Sequence, residues 1–277
     1  MNLAPVHFLS HGTTMVLGER SNIADYWEKI GQEAVNHGVN GIIIMGAHWE
    51  APGRKVQVAM NPNPRLQTLA YVKKSKYANY KPNTDLKTGE RCIEMLQKAG
   101  FEAEAAPQFD WRIDTFPVII KMFPNGCPPT VIISMNAYFD PYDHMRMGAT
   151  LRPLRKGGFL LIGSGGGYTI KYRDTFAQLH PPDEKHLEFR QALEDVICRN
   201  GGSPGLRRGL IRLMKHPNFR DAHGTDDHYM PACFVAGAVG DEEDRGADSC
   251  LGAECWELLN QGETQFTIGS WPVAVYT

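Results

Sequence analysis

Residues 41–50 read GIIIMGAHWE, a short apolar run that ends in a small residue, a histidine, an aromatic and an acid. The run from Gly41 to Met45 shows no polar alternation, which is the pattern of a strand buried on both faces. Three more stretches share it: Val6 to Leu9, Thr130 to Ser134 and Gly158 to Ile162. Between these runs, apolar residues recur at helical spacing. Ile23 to His37 places Ile23, Tyr26, Trp27, Ile30 and Ala34 on one stripe, Thr84 to Ala99 places Leu86, Cys92, Met95 and Leu96, and Pro141 to Leu154 offers Met145, Met147, Ala149 and Leu151. Each stripe predicts an amphipathic helix. Buried strands separated by such helices predict an α/β fold, with a mostly parallel central sheet, helices on both faces and a single domain over residues 1–277. Gln265 to Tyr276 reads as a late strand region, and the acidic, glycine-rich Gly237 to Gly252 as a surface loop or mobile flap.

Composition narrows the function classes. With 42% hydrophobic and 22% charged residues over 277 positions, the chain has the balance of a folded globular protein and not of a disordered tail. Its 29 basic and 31 acidic side chains include no dense Lys/Arg run, so no nucleic-acid partner is expected. No apolar stretch reaches the roughly 18 residues of a membrane span, and no basic, then apolar leader opens the chain. The six cysteines are scattered without a C-x-x-C pair, which predicts reduced, structural thiols and a cytoplasmic protein.

In open α/β sheets, ligands bind beyond the carboxyl ends of the strands. Two of the strand runs lead into histidines there: Val6 to Leu9 into Ser10-His11-Gly12, and Gly41 to Met45 into Gly46-Ala47-His48-Trp49-Glu50. One such histidine is more often structural, but two at equivalent strand ends suggest convergence on one ligand. A third ligand-rich segment runs from His223 to Pro231 (HGTDDHYMP), ahead of the apolar helix-like run ACFVAGAVG. Gly163 to Gly167 lacks the Lys-Ser/Thr of a phosphate loop and the spacing of a dinucleotide loop, which leaves a plain turn or close backbone approach to a ligand site. Gly163-Ser164-Gly165 is a poor nucleophile elbow.

Taken together, these segments resemble the LigB-type class III extradiol ring-cleavage dioxygenases, and within them the 4,5-DOPA dioxygenase-like branch. SHGTTM resembles the family's H-G-x-P-M, GAHWE its S-A-H-W-E, DPYDHMRMGATLRPLR its D-P-x-x-H-x-x-L-G-x-A-L-x-P-L-R leading to G-S-G, and HGTDDHYMP its H-P-x-P-E-H-x-x-P. The motifs occur in the family's order across nearly the whole chain. The resemblance implies metal ligands at His11, His48 and His228, Fe(II) as the metal with Zn(II) as the alternative, and a catechol or related phenolic substrate with O2 as co-substrate. Divalent iron held on one face by three protein groups leaves positions open for both catechol oxygens and for O2.

The chain also departs from that pattern. Where the family has T-H-N-L-R, Thr169-Ile170-Lys171-Tyr172-Arg173 stands here, and where it has F-D-H-G, Phe109-Asp110-Trp111-Arg112 stands here. Both of the family's acid/base histidine positions are therefore filled by other residues, Ile170 and Trp111. His223, Tyr168, Lys171 and Asp114 are the candidates to carry proton transfer in their stead, His223 first because it lies five residues from a predicted ligand. Three readings stay open: a dioxygenase with non-standard acid/base groups, a metalloenzyme that performs hydrolysis, cyclisation or C–C cleavage without O2, and a non-catalytic metal-binding homologue.

Overall fold

The computed structural model describes residues 3–166 and 181–271. One sheet of eight strands organises them in the order β4-β3-β5-β2-β6-β1-β8-β7. The strands are β1 (Val6–Ser10), β2 (Gly41–Ala51), β3 (Val56–Ala59), β4 (Ala103–Ala106), β5 (Thr130–Asn136), β6 (Phe159–Gly165), β7 (Ser249–Glu257) and β8 (Gln261–Ile268). The centre, β5-β2-β6-β1, is parallel throughout, and antiparallel pairing appears where β3 meets β5 and where β8 joins β1 and β7. The predicted mostly parallel sheet is present, with a hairpin added at one side.

Helices cover both faces. On one lie α1 (Asn22–Asn36) and α3 (Phe116–Met122); on the other lie α2 (Leu86–Lys98), α4 (Pro141–Leu151), α5 (Glu184–Asn200), α6 (Pro204–Leu213) and α8 (Met230–Ala238), the last preceded by the short α7 (Phe219–Ala222). Strand β2 shows why its run is apolar without alternation. Ile42 and Ile44 face the α1/α3 layer, Ile43 and Met45 face the α4/α8 layer, and all four are fully buried. Each such side chain contributes about 1.5–3 kcal/mol by leaving water, so the run specifies a strand covered on both sides. Helix α1 starts where the Ser21 hydroxyl accepts the Ala24 N–H, and its buried stripe Ile23, Trp27, Ile30 and Ala34 is the predicted one.

Two expectations are corrected. Strand β2 does not stop at Met45. Gly46 continues its pairing with Ser164 of β6, and the strand resumes against β5 at Glu50 after a register shift, which carries His48 inside the element. The segment from Gly237 to Gly252 is the expected surface loop only over residues 241–248, most of which are exposed. The Arg155 guanidinium donates to both Asp244 oxygens at 2.7 and 2.8 Å, and both side chains are buried. That ion pair pins the segment, while Ser249 to Gly252 begin β7.

Candidate metal centre

His11 follows the carboxyl end of β1, His48 lies near the carboxyl end of β2, and β6 runs between those two strands. The end of β6 ties the third segment to them. His11 N–H donates to the Gly165 carbonyl, and Gly166 N–H donates to the His228 carbonyl, each at 3.0 Å. Gly165 is glycine for steric reasons, because a Cβ there would lie 2.3 Å from the His228 carbonyl oxygen. The glycine run after β6 thus serves close backbone approach to a ligand-bearing segment.

The three imidazoles converge. Their ring centroids stand 5.0, 5.1 and 5.0 Å apart, and one nitrogen from each lies within 4.8 Å of the others. Nδ1 of His11 donates to the Gly12 carbonyl at 3.0 Å, which leaves Nε2 as its lone-pair nitrogen, buried and without a partner among the described residues. His48 also presents a buried Nε2 with no partner among the described residues, and Nδ1 of His228 faces the Asp227 carboxylate at 3.2 Å. Buried imidazole nitrogens left bare cost free energy unless something binds them. The donor set and its orphaned atoms fit a divalent transition metal, and a carboxylate beside the outer nitrogen of a ligating histidine is the usual supporting contact for one.

The electrostatics agree. Burial lowers the His11 pKa well below its ordinary value, and repulsion from His48 and His228 adds to it. Burial lowers His48 as well, opposed by the charge of Asp114. Those two rings are therefore neutral at pH 7, with lone pairs available for coordination. Burial alone would raise the Asp227 carboxyl, but contact with the His228 ring, the Thr225 hydroxyl and the His228 N–H outweigh it and hold Asp227 below the ordinary carboxylate range.

Around this cluster the acid/base candidates are distributed unequally. Asp114 is buried beneath β2, where Oδ2 accepts the His48 N–H at 2.9 Å and Oδ1 has no partner among the described residues. Gly46 makes room for it: a Cβ there would meet Asp114 Oδ2 at 1.9 Å. His223 is buried outside the triad, among Phe189, Phe219 and Tyr229 with ring centroids 5.2–5.5 Å away. Tyr168 and Lys171 fall outside the described residues, as does Ile170. Ser164 is committed as a donor to the Asp114 carbonyl. Trp111 is fully buried, and its indole Nε1–H has no partner among the described residues. His144 is buried within α4, where Nδ1 donates to the Asp140 carbonyl at 2.7 Å. Tyr229 packs and donates to the Leu210 carbonyl at 2.8 Å.

Next to His48 lies a cavity of about 790 Å³ lined by Trp49, Phe109, Trp111, Gln57, Gln67 and Arg112. Trp49 stacks on Phe109 at 3.6 Å, and the Arg112 guanidinium sits 5.4 Å over the Phe109 ring while donating to the His48 carbonyl. Arg112 is not among the site residues that the sequence predicts. Its signal was present as an arginine standing where the resembled motif has glycine.

Residues 5–251 match the family described as the catalytic LigB subunit of aromatic ring-opening dioxygenase. The chain belongs to the LigB family. Among curated LigB-type relatives, the 4,5-DOPA dioxygenase extradiol of Escherichia coli K12 is 24% identical over 246 residues, covering 86% of each chain. That of Beta vulgaris is 22% identical over 96% of this chain and 97% of its own, and the dioxygenase tasH of Hapsidospora irregularis is 28% identical over 88% and 80%. A crystal structure of an uncharacterized Escherichia coli K12 protein has the same fold, with a TM-score of 0.73, 21% identity and coverage of 96% of this chain and 99% of that one. The LigB family is enzymatic, and this member falls with the 4,5-DOPA dioxygenase-like branch. No helix among the described residues is long and apolar enough to cross a membrane.

Proposed function

We propose that the chain is an extradiol-type ring-opening dioxygenase that acts on a catechol or related phenolic substrate, with Fe(II) held by His11, His48 and His228. The observation that carries this reading is the convergence of three imidazole nitrogens within 4.8 Å at the sheet's ligand edge. The bound metal would supply Lewis acidity and a path for electrons between ring and oxygen. The protein's own groups do the rest. The rings of Trp49 and Phe109 and the Trp111 indole bound an aromatic-sized slot beside His48. Arg112 offers a guanidinium at its rim, with no carboxylate partner among the described residues, that suits an anionic substituent on the substrate. Asp114 is the described candidate for taking the second phenolic proton, because it is tied to the His48 main chain and keeps an oxygen with no partner among the described residues. Trp111, by contrast, is a donor only and cannot act as a base where the family's histidine would stand.

That replacement is also the observation behind a second reading, in which the metal, iron or zinc, serves a non-oxidative reaction on a phenolic substrate. One experiment separates the two. Protein prepared anaerobically is assayed for metal by mass spectrometry and for O2 consumption with a panel of catechols. Iron near one per chain with uptake supports the dioxygenase. Bound metal with turnover but no uptake supports the second reading, and a His228→Ala variant that keeps its metal would remove the ligand assignment on which both rest.

A further inference from the structure

The antiparallel hairpin β7–β8 has no role in the reaction as derived above, yet it supplies two carboxyls to the loop that carries the first ligand. Cys255 pairs with Glu263 and Glu257 with Gln261, so Glu257 and Glu263 lie diagonally on one face of the hairpin. Thr13 N–H donates to Glu257 Oε2 at 2.6 Å, and the Glu263 carboxyl accepts the Gln261 amide at 2.7 Å while the Gly12 N–H lowers its pKa against burial. Two more bonds tie the same strand to the loop. Thr264 N–H donates to the Ser10 hydroxyl at 3.2 Å, and the Gln265 amide donates to the Ser10 carbonyl at 3.0 Å.

Each contact to the β1–loop segment falls within two residues of His11. Gly12 adopts φ +64°, a conformation that suits glycine, and in it the peptide N–H faces the hairpin while its carbonyl accepts His11 Nδ1–H. The conformation of one glycine therefore sets the tautomer and the direction of a ligand ring. Both acids are placed where an acid is costly. Burial pushes both carboxyls up, and the charge of Glu257 pushes Glu263 further, against the hydrogen bonds from the loop. Two acids kept at that cost, with loop N–H groups as donors, point to a task at the loop.

We infer that Glu257 and Glu263 are positioning residues for the metal centre: together they clamp the Gly12–Thr13 backbone so that the Gly12 carbonyl fixes His11 with Nε2 toward the metal. The inference rests on the reading that His11 is a ligand, and its test has one arm that needs no metal.

In that arm, nitrogen-15 histidine spectra of the metal-free protein report the His11 tautomer, with the signal assigned by its loss in His11→Gln. Wild type is expected as the Nδ1–H form, and Glu257→Ala and Glu263→Ala as mixtures of both tautomers. In the second arm, competition with a chelator measures Zn(II) affinity. The alanine variants weaken it by about 10- to 100-fold, the range typical of lost supporting contacts, while Glu257→Gln and Glu263→Gln keep an acceptor oxygen and stay within about threefold of wild type. Glu254→Ala serves as the control, since Glu254 lies on the same hairpin but bonds Arg190 at 2.6 and 2.7 Å. Thermal melts rank the variants by stability, and where one alanine variant does not fold the other decides the question. Wild-type tautomer and affinity in both alanine variants would overturn the inference, as would an equal loss of affinity in Glu254→Ala. Failure of wild type to take up zinc would count against the metal reading alone, because the tautomer comparison stands without it.

Discussion

The main-chain N–H of His48 donates to Asp114 Oδ2 at 2.9 Å, while Oδ1 of the same carboxylate is buried with no partner among the described residues. A carboxylate so placed costs stability, on the order of 1–3 kcal/mol for the unsatisfied oxygen. Strand β2 nevertheless gives it room, because Gly46 leaves open the volume that a Cβ would fill. Structure alone asks only for an acceptor at Oδ2, which an amide supplies equally well. Asp114→Asn is therefore expected to keep the metal and the fold but to lower kcat by about 10²-fold or more, the scale of a lost general base. Metal content and turnover measured on the same preparation check this. Activity within a few-fold of wild type would return Asp114 to a purely structural role.

Gly165 tests the route by which His228 reaches the cluster. Its missing side chain lets the His228 carbonyl approach, and the next residue, Gly166, donates to that oxygen at 3.0 Å. A methyl group at Gly165 meets the main-chain carbonyl of His228 at 2.3 Å and the Pro231 ring at 3.1 Å, so no flexible side chain can yield. Gly165→Ala is expected to cost about 1–3 kcal/mol of stability, as overpacking does, and to weaken metal retention by moving His228 away from His11 and His48. Urea unfolding together with metal content reads both effects. Full metal retention in a destabilised variant would show that the His228 segment accommodates the shift.

Much of this arrangement was legible in the sequence, and the parts that were not have physical causes. The apolar runs at Val6, Gly41, Thr130 and Gly158 announced the parallel core, because burial on both faces leaves no polar alternation to misread. His11 and His48 were placed at the ligand edge by the same logic. The antiparallel β7 escaped notice, because SCLGAECWE is half-exposed and mixes cysteine, glycine and acids instead of alternating cleanly. Pinning of the acidic segment depended on Arg155, 89 positions from Asp244, and no local pattern reports a buried ion pair of that separation. Glu257 and Glu263 were invisible for a related reason. Their meaning lies in which backbone N–H groups they face, and that is settled by strand order alone.

Acid stability follows from histidines outside the three-histidine cluster. Burial lowers the pKa of His7 from 6.5 to about 3, assisted by the charge of Arg155, and lowers that of His144 to about 4 against the opposing influence of Asp140 and Asp143. Both rings are neutral in the fold and take up a proton on unfolding anywhere between those values and 6.5. Stability is therefore intact above about pH 6.5 and falls as the pH drops toward 4, by about 1.4 kcal/mol per pH unit for each such ring. In His144→Gln, whose amide retains a donor for the Asp140 carbonyl, the slope over this window is expected to fall by one proton's worth. Urea midpoints at pH 7, 5.5 and 4.5 supply the comparison, and an unchanged slope would show that His144 is already charged in the folded protein.

On the proposed function, Arg112 would select among phenolic substrates. Its guanidinium lies over the Phe109 ring, donates to the His48 carbonyl and meets no carboxylate among the described residues, so its remaining N–H groups face the cavity rim. An exposed cation held at a fixed place by stacking discriminates through the anion it pairs with, and a fork-shaped pair with a carboxylate is worth more than a single surface ion pair. Arg112→Met preserves the apolar stem and removes the charge. For a catechol bearing a carboxylate, KM is expected to rise about 10-fold, equivalent to about 1.4 kcal/mol, while kcat changes little, because the contact is the same in the ground and transition states. A neutral catechol of similar size should show no such change. Arg112→Lys is expected to recover only part of the loss, since an ammonium cannot offer the paired N–H groups. Equal loss on charged and neutral catechols would instead assign Arg112 to holding the His48 carbonyl, and metal affinity, not KM, would then be the quantity that moves.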